Sequence, residues 1–423
     1  MFDYEIPFNL EERITIIHGK NGVGKTVILN LINDILTQSF EKVFDVKFES
    51  IKIFFHNNSY VMLEKTDDYL NFCFSTQNGE KQELKIPKAY EYNLEEESRT
   101  SSVLAMKKRL VRDFEMGKIS VQDYESLKKG LSEELGTRKR FEKFFFSTVE
   151  DKEKLNNIYK SLDINIQFIK TQRLTVTVKS LSFKERTSYT VDKYAEELSN
   201  EITELLLEHS SLSQELDRSF PLRFMKKKQE NEISEGTVIQ SLKDLDFKRS
   251  EYVGLGILEE QKETTSFELT ENIITPDTLA MLKEYIADNE KKLVIFDTLA
   301  QKIKLFKELV NKRFSYKQIY FNKEKGFFFK NKLGDVIALK SLSSGEQHQL
   351  ILFFDFLFNL KPNALVMIDE PELSLHVEWQ REFLTDYKRI TKLAEIDLFI
   401  ATHSPQLIND SWDLTVELGE ELK

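Results

Sequence analysis

Hydrophobic and polar positions along the chain follow two different rhythms. Residues 13–19, "RITIIHG", have the composition of a buried strand, and "KTVILNLINDILTQSF" has the spacing of an amphipathic helix. Short alternating runs continue to about residue 90, with turn signals at Asn57–Asn58 and Asn78–Gly79. The sequence therefore predicts an α/β fold, in which a small antiparallel β subdomain is joined to a mostly parallel core sheet.

A heptad rhythm dominates the middle of the chain. Apolar positions recur at spacings of three and four across residues 191–216 and again across residues 282–303. Pro221 is expected to end the first helix, and Pro276 to stand at the first position of the second. Two helices of about 30 residues would each be about 45 Å long. We expect them to form an antiparallel coiled-coil hairpin or, alternatively, to pack in an ordinary helical domain.

These patterns divide the chain into five segments. Residues 1–90 and 315–423 carry the alternating strands and helices of one α/β head. Strand-like sequence in residues 161–180 is expected to return to that head. The two remaining segments, residues 91–160 and 181–314, are predicted to be helical insertions, and the second contains the hairpin.

A glycine-rich loop lies between the first predicted strand and helix. "GKNGVGKT", residues 19–26, fits G-x-x-x-x-G-K-[ST] in the strand-loop-helix context that this motif requires. Lys25 would reach the β- and γ-phosphates of ATP, and the Thr26 hydroxyl would coordinate Mg²⁺. Gly22 and Gly24 are the positions that we expect to tolerate a side chain least. The predicted ATP contacts are Gly19, Asn21, Gly22, Val23, Gly24, Lys25 and Thr26.

Two acids end a second buried strand, "ALVMIDE", at residues 364–370. Such a strand delivers both carboxylates at its C-terminal tip, where Asp369 is predicted to hold Mg²⁺ and Glu370 to act as general base on water. The alternative interpretation, an ordinary buried strand that ends in a polar residue, would not explain two adjacent acids followed by proline. "ATHSPQ" ends the next apolar strand, and its His403 could hydrogen-bond a γ-phosphate or the attacking water.

A further anion site is predicted at "LSSGEQ", just before an apolar helix. A helix N-terminus with Ser343 and free backbone N–H groups attracts anions. Because the P-loop already accounts for the phosphates bound by its own chain, we expect this loop to contact the nucleotide of a second copy. The sequence thus predicts a homo-oligomer with composite ATP sites.

The charge and hydropathy of the chain restrict its partners. A net charge of -11 argues against a surface devoted to nucleic acid. Basic runs at residues 107–112, 138–140 and 226–228 leave contact with nucleic acid open, although solvated helix faces are favoured because no aromatic residues are interleaved with them. No apolar run is long enough for a bilayer and the N-terminus does not resemble a signal peptide, so we expect a cytoplasmic protein.

The motifs together resemble the ABC-type ATPase heads of the SMC, Rad50 and OLD-like group. The resemblance implies an ABC-type P-loop ATPase head with a D-loop at Ser374 and His376 and a switch histidine at His403. It also implies that Gln172 is a Q-loop glutamine that contacts ATP and senses Mg²⁺. The signature residues that would face the ATP of a neighbouring copy are Ser343, Ser344, Gly345 and Glu346.

Three longer stretches look like the ATPase component of PARIS, the phage anti-restriction induced system. These are "SSGEQHQLILFF", "IDEPELSLHVEWQ" and "ATHSPQLINDSWDLTVEL". The resemblance implies a homo-oligomer that restrains a separate Toprim-like nuclease until a phage-encoded trigger protein is sensed. Composite sites that need two copies lead us to expect slow hydrolysis.

Two alternatives remain open at this point. One is the ATPase subunit of a Septu or OLD-type defence nuclease complex. The other is a DNA-repair ATPase of the SMC or Rad50 kind, against which the short helical arms and the lack of a CxxC motif weigh. An OLD-type nuclease within one chain is not expected, because only 20 residues (423 minus 403) follow His403.

Overall fold

The computed structural model describes residues 3–88, 149–162, 164–170, 183–226, 235–260, 275–374 and 377–419. The chain divides into two compact units. Unit 1 comprises residues 1–6, 17–168 and 417–423, and unit 2 comprises residues 7–16 and 169–416. The basic runs at residues 107–112 and 138–140, most of the first predicted insertion and the second strand expected within residues 161–180 lie outside the described residues.

Five strands form the core sheet, in the order β12-β1-β11-β10-β6. They are β1 (Ile14–Gly19), β6 (Asn165–Lys170), β10 (Ala364–Asp369), β11 (Asp397–Ala401) and β12 (Thr415–Leu418). β10 and β11 pair in parallel, with Asp369 opposite Ala401. Spatial neighbours far apart in sequence are typical of the crossovers of an α/β fold. The predicted fold class is confirmed.

Unit 1 contains a second sheet, which is antiparallel and follows chain order. Its strands are β2 (Ser50–Phe54), β3 (Tyr60–Lys65), β4 (Tyr69–Ser75) and β5 (Lys81–Pro87), and the helices of unit 1 are α1 (Lys25–Leu36), α2 (Phe40–Asp45) and α3 (Val149–Leu162). Alternate residues of the two middle strands are buried against these helices, including Leu63 and Phe72. Asn58 and Gly79 have φ of 61° and 81° at the predicted turns, as three-residue hairpin loops require.

A three-stranded antiparallel sheet lies in unit 2, made of β7 (Lys317–Asn322), β8 (Gly326–Asn331) and β9 (Val336–Ile337). It is followed by α8 (Ser344–Phe354), a π-helical turn (Asp355–Asn359), α9 (Val377–Ala394) and α10 (Pro405–Ile408). Phe306 is fully buried at the centre of this core and packs edge-on against Phe327 and Phe354 at 6.0 Å between ring centroids.

The helical part of unit 2 consists of α4 (Phe183–Lys226), α5 (Glu235–Gly254), α6 (Pro276–Val294) and α7 (Asp297–Arg313). α4 and α6 run antiparallel, since Arg223 contacts Asp288 while Asp217 contacts Lys292, further along α6. α5 packs against α6 through a small apolar cluster that includes Leu242 and Leu282. α4 and α6 therefore pair in the antiparallel sense of a hairpin, and α5 adds a third helix to them.

Two expectations about these helices are wrong. α4 continues through Pro221 to Lys226. Proline removes one backbone hydrogen bond near the helix end, but the Arg223 guanidinium donates to Leu216 O at 3.0 Å and to Asp288 Oδ1 at 2.9 Å, which fixes this last part of the helix. The second predicted helix is interrupted at Ile295–Phe296. Both residues keep right-handed helical φ and ψ, so the apolar stripe continues across the break. The hydrophobic pattern of the sequence therefore does not indicate where the helix is interrupted.

None of the helices within the described ranges combines enough length with enough apolar character to cross a bilayer.

Candidate functional site

The loop after β1 has the backbone geometry of a phosphate cradle. Gly19, Gly22 and Gly24 have φ of 148°, 88° and 99°, in a region that side chains rarely adopt. α1 begins directly after Gly24, with Lys25 as its first residue. A helix N-terminus presents N–H groups and the positive end of the helix dipole. The loop is therefore suited to hold an anionic ligand.

Gly19 is the most constrained glycine of this loop. A Cβ on Gly19 would lie 2.4 Å from the carbonyl oxygen of Leu418 in β12. A Cβ on Gly22 or Gly24 would meet nothing within 4 Å, so only their backbone conformation restricts them. The sequence directed attention to Gly22 and Gly24 and missed this contact, because Leu418 lies at the other end of the chain.

Lys25 and Tyr4 both bind carbonyl groups of the loop. Lys25 is buried, and its Nζ donates to Gly19 O at 2.8 Å and to Lys20 O at 3.1 Å. The Tyr4 hydroxyl donates to Val23 O at 3.0 Å, and burial raises the pKa of this phenol. Tyr4 therefore supports the loop from outside the motif, and no sequence signal other than an aromatic residue before β1 could have pointed to it. Asn21 and Thr26 are exposed.

At the end of β10, the structure brings together two side chains that the sequence placed on different strands. His403 Nε2 lies 3.9 Å from Glu370 Oε1, and each side chain is one-third exposed. Glu370 has φ of 49°, and its N–H donates to Ala401 O at 2.8 Å. A left-handed non-glycine residue costs about 1–3 kcal/mol and persists only where its surroundings fix it. The carboxylate of Glu370 is thus held beside an imidazole.

A polar link joins the turn after Glu370 to the loop of His403. The His403 N–H donates to Glu372 Oε1 at 2.8 Å. Gln380 in α9 donates from Nε2 to Glu372 O at 3.2 Å, and its Oε1 accepts from Ser404 Oγ at 3.0 Å. Sequence reasoning missed Glu372 and Gln380. A third acid in "IDEPE" was the available signal for Glu372, whereas Gln380 had none.

The loop before α8 differs from expectation in one respect. Ser343 Oγ accepts from the Glu346 N–H at 3.3 Å, and the Ser343 N–H donates to Glu346 Oε2 at 2.8 Å. This capping box uses two donors that were expected to be free, because a glutamate three residues after the cap reaches back to the cap residue. Ser344 and Gly345 are exposed between them, and a Cβ on Gly345 would meet nothing within 4 Å.

Lys317 forms an ion pair with Glu346 at the start of α8. Its Nζ lies 2.9 Å from Glu346 Oε2. Burial acts to raise the pKa of Glu346, but hydrogen bonds from Lys317 and Ser343 outweigh it, and the pKa of Glu346 is lowered. The carboxylate is therefore charged at neutral pH and is neutralised by a lysine, so the mouth of α8 does not carry a net negative charge.

The remaining predicted positions are described only in part. Gln172 and His376 lie outside the described residues. Ser374 ends the 3-10 turn Pro371–Ser374, and only its backbone is described. Among the residues that the structure describes, no group of three or more His, Cys, Asp or Glu side chains could hold a metal ion. Mg²⁺ commonly takes one or two carboxylates together with substrate phosphates. The hydroxyl of Thr26 in unit 1 and the carboxylate of Asp369 in unit 2 are each an oxygen donor of that kind.

Comparison with known protein families gives one match, which spans most of the chain. Residues 3–408 match the AAA ATPase domain. The chain belongs to the AAA ATPase domain family. This AAA ATPase therefore has the activity that its P-loop predicts, binding and hydrolysis of ATP.

Two further comparisons add little to this result. No match to the AAA ATPase was found among curated protein sequences. Among solved structures, it is similar to the Smc head domain with a coiled coil and joint from Pyrococcus yayanosii, with 16% identity and a TM-score of 0.29 over 95% of this chain and 89% of that one. A score this low carries no argument about fold or function.

Proposed function

We propose that this AAA ATPase hydrolyses ATP slowly at sites that a second copy of the chain completes. In this proposal the P-loop N–H groups and Lys25 hold the phosphates, and Thr26 and Asp369 provide protein oxygens for Mg²⁺. Bound Mg²⁺ would neutralise charge that develops on the phosphate oxygens. The motif resemblance adds Gln172 and Ser374 to the ATP contacts.

The pairing of Glu370 with His403 is the observation that carries this proposal. Glu370 would accept a proton from the water that attacks the γ-phosphate. His403, with Nε2 at 3.9 Å from Glu370 Oε1, would hydrogen-bond the same water or a γ-phosphate oxygen. The left-handed backbone of Glu370 and the hydrogen bond that the His403 N–H donates to Glu372 support this role, since both restrict where the two side chains can lie.

The open space around Gly345 supports a composite site. Among the described residues nothing requires a glycine there, because a Cβ would meet none of their atoms within 4 Å and the residue lies in the first turn of a helix. A requirement for glycine would therefore come from another molecule. We assign Ser343, Ser344, Gly345 and Glu346 to the site that meets the γ-phosphate bound by a neighbouring copy. Within this site, Glu346 acts indirectly, because it fixes the helix cap at Ser343.

Mixing two inactive variants tests the composite site. Lys25→Ala removes the P-loop contact of a chain, and Ser343→Arg blocks the contact that the chain makes with its neighbour's nucleotide. Each variant alone should have almost no ATPase activity. An equal mixture should regain about a quarter of wild-type phosphate release, because half of the pairs are mixed and each mixed pair has one complete site. Normal turnover by either variant alone would exclude shared sites.

The biological role that we propose is regulation of a separate, Toprim-like nuclease in anti-phage defence. It rests on the resemblance of three sequence stretches to the PARIS ATPase, since no residue spacing encodes a partner. Co-expression with a Toprim-like protein encoded next to this chain should yield a stable complex that a phage protein releases. A neighbouring HNH nuclease that binds instead would favour the Septu-type alternative.

A further inference from the structure

The outer face of the β7-β8-β9 sheet brings aromatic rings and lysines together. Ile319, Phe321, Phe327 and Phe329 point into the core, so the alternate residues share the opposite face. Tyr320 and Phe328 are register partners on that face, and their rings stack at 5.9 Å between centroids. Lys330 Nζ lies 4.9 Å from the centroid of Tyr320, and Lys325 Nζ lies 5.4 Å from that of Phe328.

A second aromatic position lies at the far end of the same face. Tyr316 precedes β7 and is 75% exposed, with Lys332 Nζ 4.8 Å from its ring centroid. Tyr316 and Lys332 lie just beyond the Lys317–Asn331 pair that ends the two strands. Tyr316 is four positions before Tyr320, which corresponds to about 13 Å along an extended chain. The face therefore carries two ring positions with lysines at both.

Tyr316 also has an unusual backbone. Its φ is 68°, a conformation that is rare for a bulky residue and that persists where a particular side-chain direction is needed. No apolar packing explains a large ring that is three-quarters exposed. The ring of Tyr316 is therefore accessible to another molecule at the surface.

The charge of this sheet is opposite to that of the chain. Residues 317–337 contain five lysines and two acids. Lys317 and Lys323 form ion pairs with Glu346 and Glu259, which lie outside this range, so the other three lysines and the two acids leave a net charge of +1, whereas the whole chain carries -11. The antiparallel sheet of unit 1 provides a contrast. It also has an exposed aromatic pair, Phe54 and Tyr60, with Lys52 over both rings, but residues 50–87 contain four lysines and five acids. Rings occur on both sheets, and excess positive charge occurs on one.

We propose that the outer face of the β7-β8-β9 sheet binds single-stranded nucleic acid. Bases stack on Tyr316, Tyr320 and Phe328, because an aromatic ring accepts any base on its face. Lys325, Lys330 and Lys332 pair with the phosphates. Stacking of a base on an aromatic ring is more favourable in free energy than the cation–π contact of an exposed lysine with the same ring. The base therefore displaces the ammonium group from the ring, and the ammonium group pairs with a phosphate of the nucleic acid. The basic runs identified in the sequence have no aromatic residues within them. In the β7-β8-β9 sheet, strand pairing places aromatic rings beside lysines.

Fluorescence anisotropy with the full-length protein tests this proposal. The probes are a fluorescein-labelled 20-nucleotide oligo(dT) and a 20-base-pair duplex, each at 50 and 200 mM NaCl. The wild-type chain should bind the single strand more tightly than the duplex. Tyr316→Ala combined with Tyr320→Ala and Phe328→Ala should weaken binding of the single strand at least about tenfold, since each stacked base contributes roughly a factor of ten.

A lysine variant separates charge from stacking. Lys325→Ser with Lys330→Ser and Lys332→Ser should weaken binding and reduce the slope of log affinity against log salt by about 2, since each phosphate contact contributes about 0.7 for a single strand. The matched control is Phe54→Ala with Tyr60→Ala, which should bind oligo(dT) like the wild type. Thermal melting and ATP binding check that each variant is folded. If the ring variant melts early, Tyr320→Leu with Phe328→Leu keeps the apolar bulk and removes the rings.

Four results would overturn the proposal. These are no oligo(dT) binding at 50 mM NaCl, unchanged binding by a folded ring variant, an equal loss in the Phe54 and Tyr60 control, and competition by poly-glutamate as strong as that by unlabelled oligo(dT). The last result would identify an acidic peptide as the partner.

Discussion

The backbone N–H of His403 donates a hydrogen bond to Glu372 Oε1 at 2.8 Å. This bond ties the loop after β11 to the turn after β10, so the position of the imidazole depends on a carboxylate two residues beyond Glu370. Gln380 reinforces the arrangement from α9, since it binds Glu372 O on one side and Ser404 Oγ on the other. We therefore treat Glu372 and Gln380 as positioning residues.

Loss of the Glu372 carboxylate should slow hydrolysis without weakening ATP binding. We expect Glu372→Ala to lower kcat about 10- to 100-fold, because misplacing a catalytic group by about 1 Å has an effect of this size. Glu372→Gln keeps an acceptor oxygen for the His403 N–H and should recover most of the rate. Glu382→Ala, at a half-exposed acid of α9 that pairs with Lys312, is the matched control. Equal rates for Glu372→Ala and wild type would remove Glu372 from this role.

Neutralising Glu370 should separate binding from cleavage. Glu370→Gln preserves the shape of the side chain and removes the base, so we expect unchanged affinity for ATP and a kcat at least about 100-fold lower. Affinity can be followed with a fluorescent ATP analogue and turnover by phosphate release. Turnover within a factor of two of the wild type would assign the base to another residue.

Replacing Gly345 by leucine should abolish turnover while the chain stays stable. The site is open within one chain, and glycine inside a helix is less favourable than most residues by up to about 1 kcal/mol. The free energy of unfolding should therefore be unchanged or slightly higher. Lys340→Leu, at an exposed position before the same helix, is the control. Normal hydrolysis by Gly345→Leu would contradict a contact with a second copy.

Alanine at Gly19 should destabilise the chain more than alanine at Gly22. Both positions have positive φ, but only at Gly19 would the Cβ meet backbone, the Leu418 carbonyl oxygen at 2.4 Å. We expect Gly22→Ala to cost about 1–2 kcal/mol from backbone strain and Gly19→Ala about 1–3 kcal/mol more from overpacking. Urea unfolding measures both. Equal midpoints would mean that β12 moves aside without cost.

Stability should fall when the pH drops from 7.5 to 5.5. Burial, assisted by Lys292 and Arg249, lowers the pKa of His209, which packs 5.2 Å from Phe296 between ring centroids. In the unfolded chain His209 is protonated as the pH falls through about 6.5, whereas in the folded chain it stays neutral to a lower pH. The unfolded state therefore binds more protons in this range, and the free energy of unfolding decreases as the pH falls. His209→Gln should reduce the difference between urea midpoints at the two pH values. An unchanged difference would assign it to other groups, such as half-buried His348, whose pKa is also lowered by burial.

The parts of the fold with a local signal were predictable. β1, the P-loop and α1 follow from one motif, and the strands of the unit 1 sheet follow from alternation and from turn residues such as Asn58 and Gly79. The break at Ile295–Phe296 was not predictable, because both residues keep helical dihedral angles and the apolar stripe continues across them.

The candidate site shows the same limit. Glu370 and His403 could each be proposed from the residues that end a buried strand, but their 3.9 Å approach depends on the pairing of β10 with β11. The capping box at Ser343 was visible as serine followed three residues later by glutamate, and its consequence for the free N–H groups was overlooked. Glu372, Gln380 and the Gly19–Leu418 contact involve partners that only tertiary structure supplies.

The contact between Gly19 and Leu418 has a mechanical consequence. Backbone lies directly against backbone there, with no flexible side chain between the two segments to absorb a displacement. A nucleotide that shifts the start of the phosphate loop must therefore push or release the last strand at the same moment. We therefore expect the position of β12 and of the residues that end it to change with the nucleotide that the loop holds.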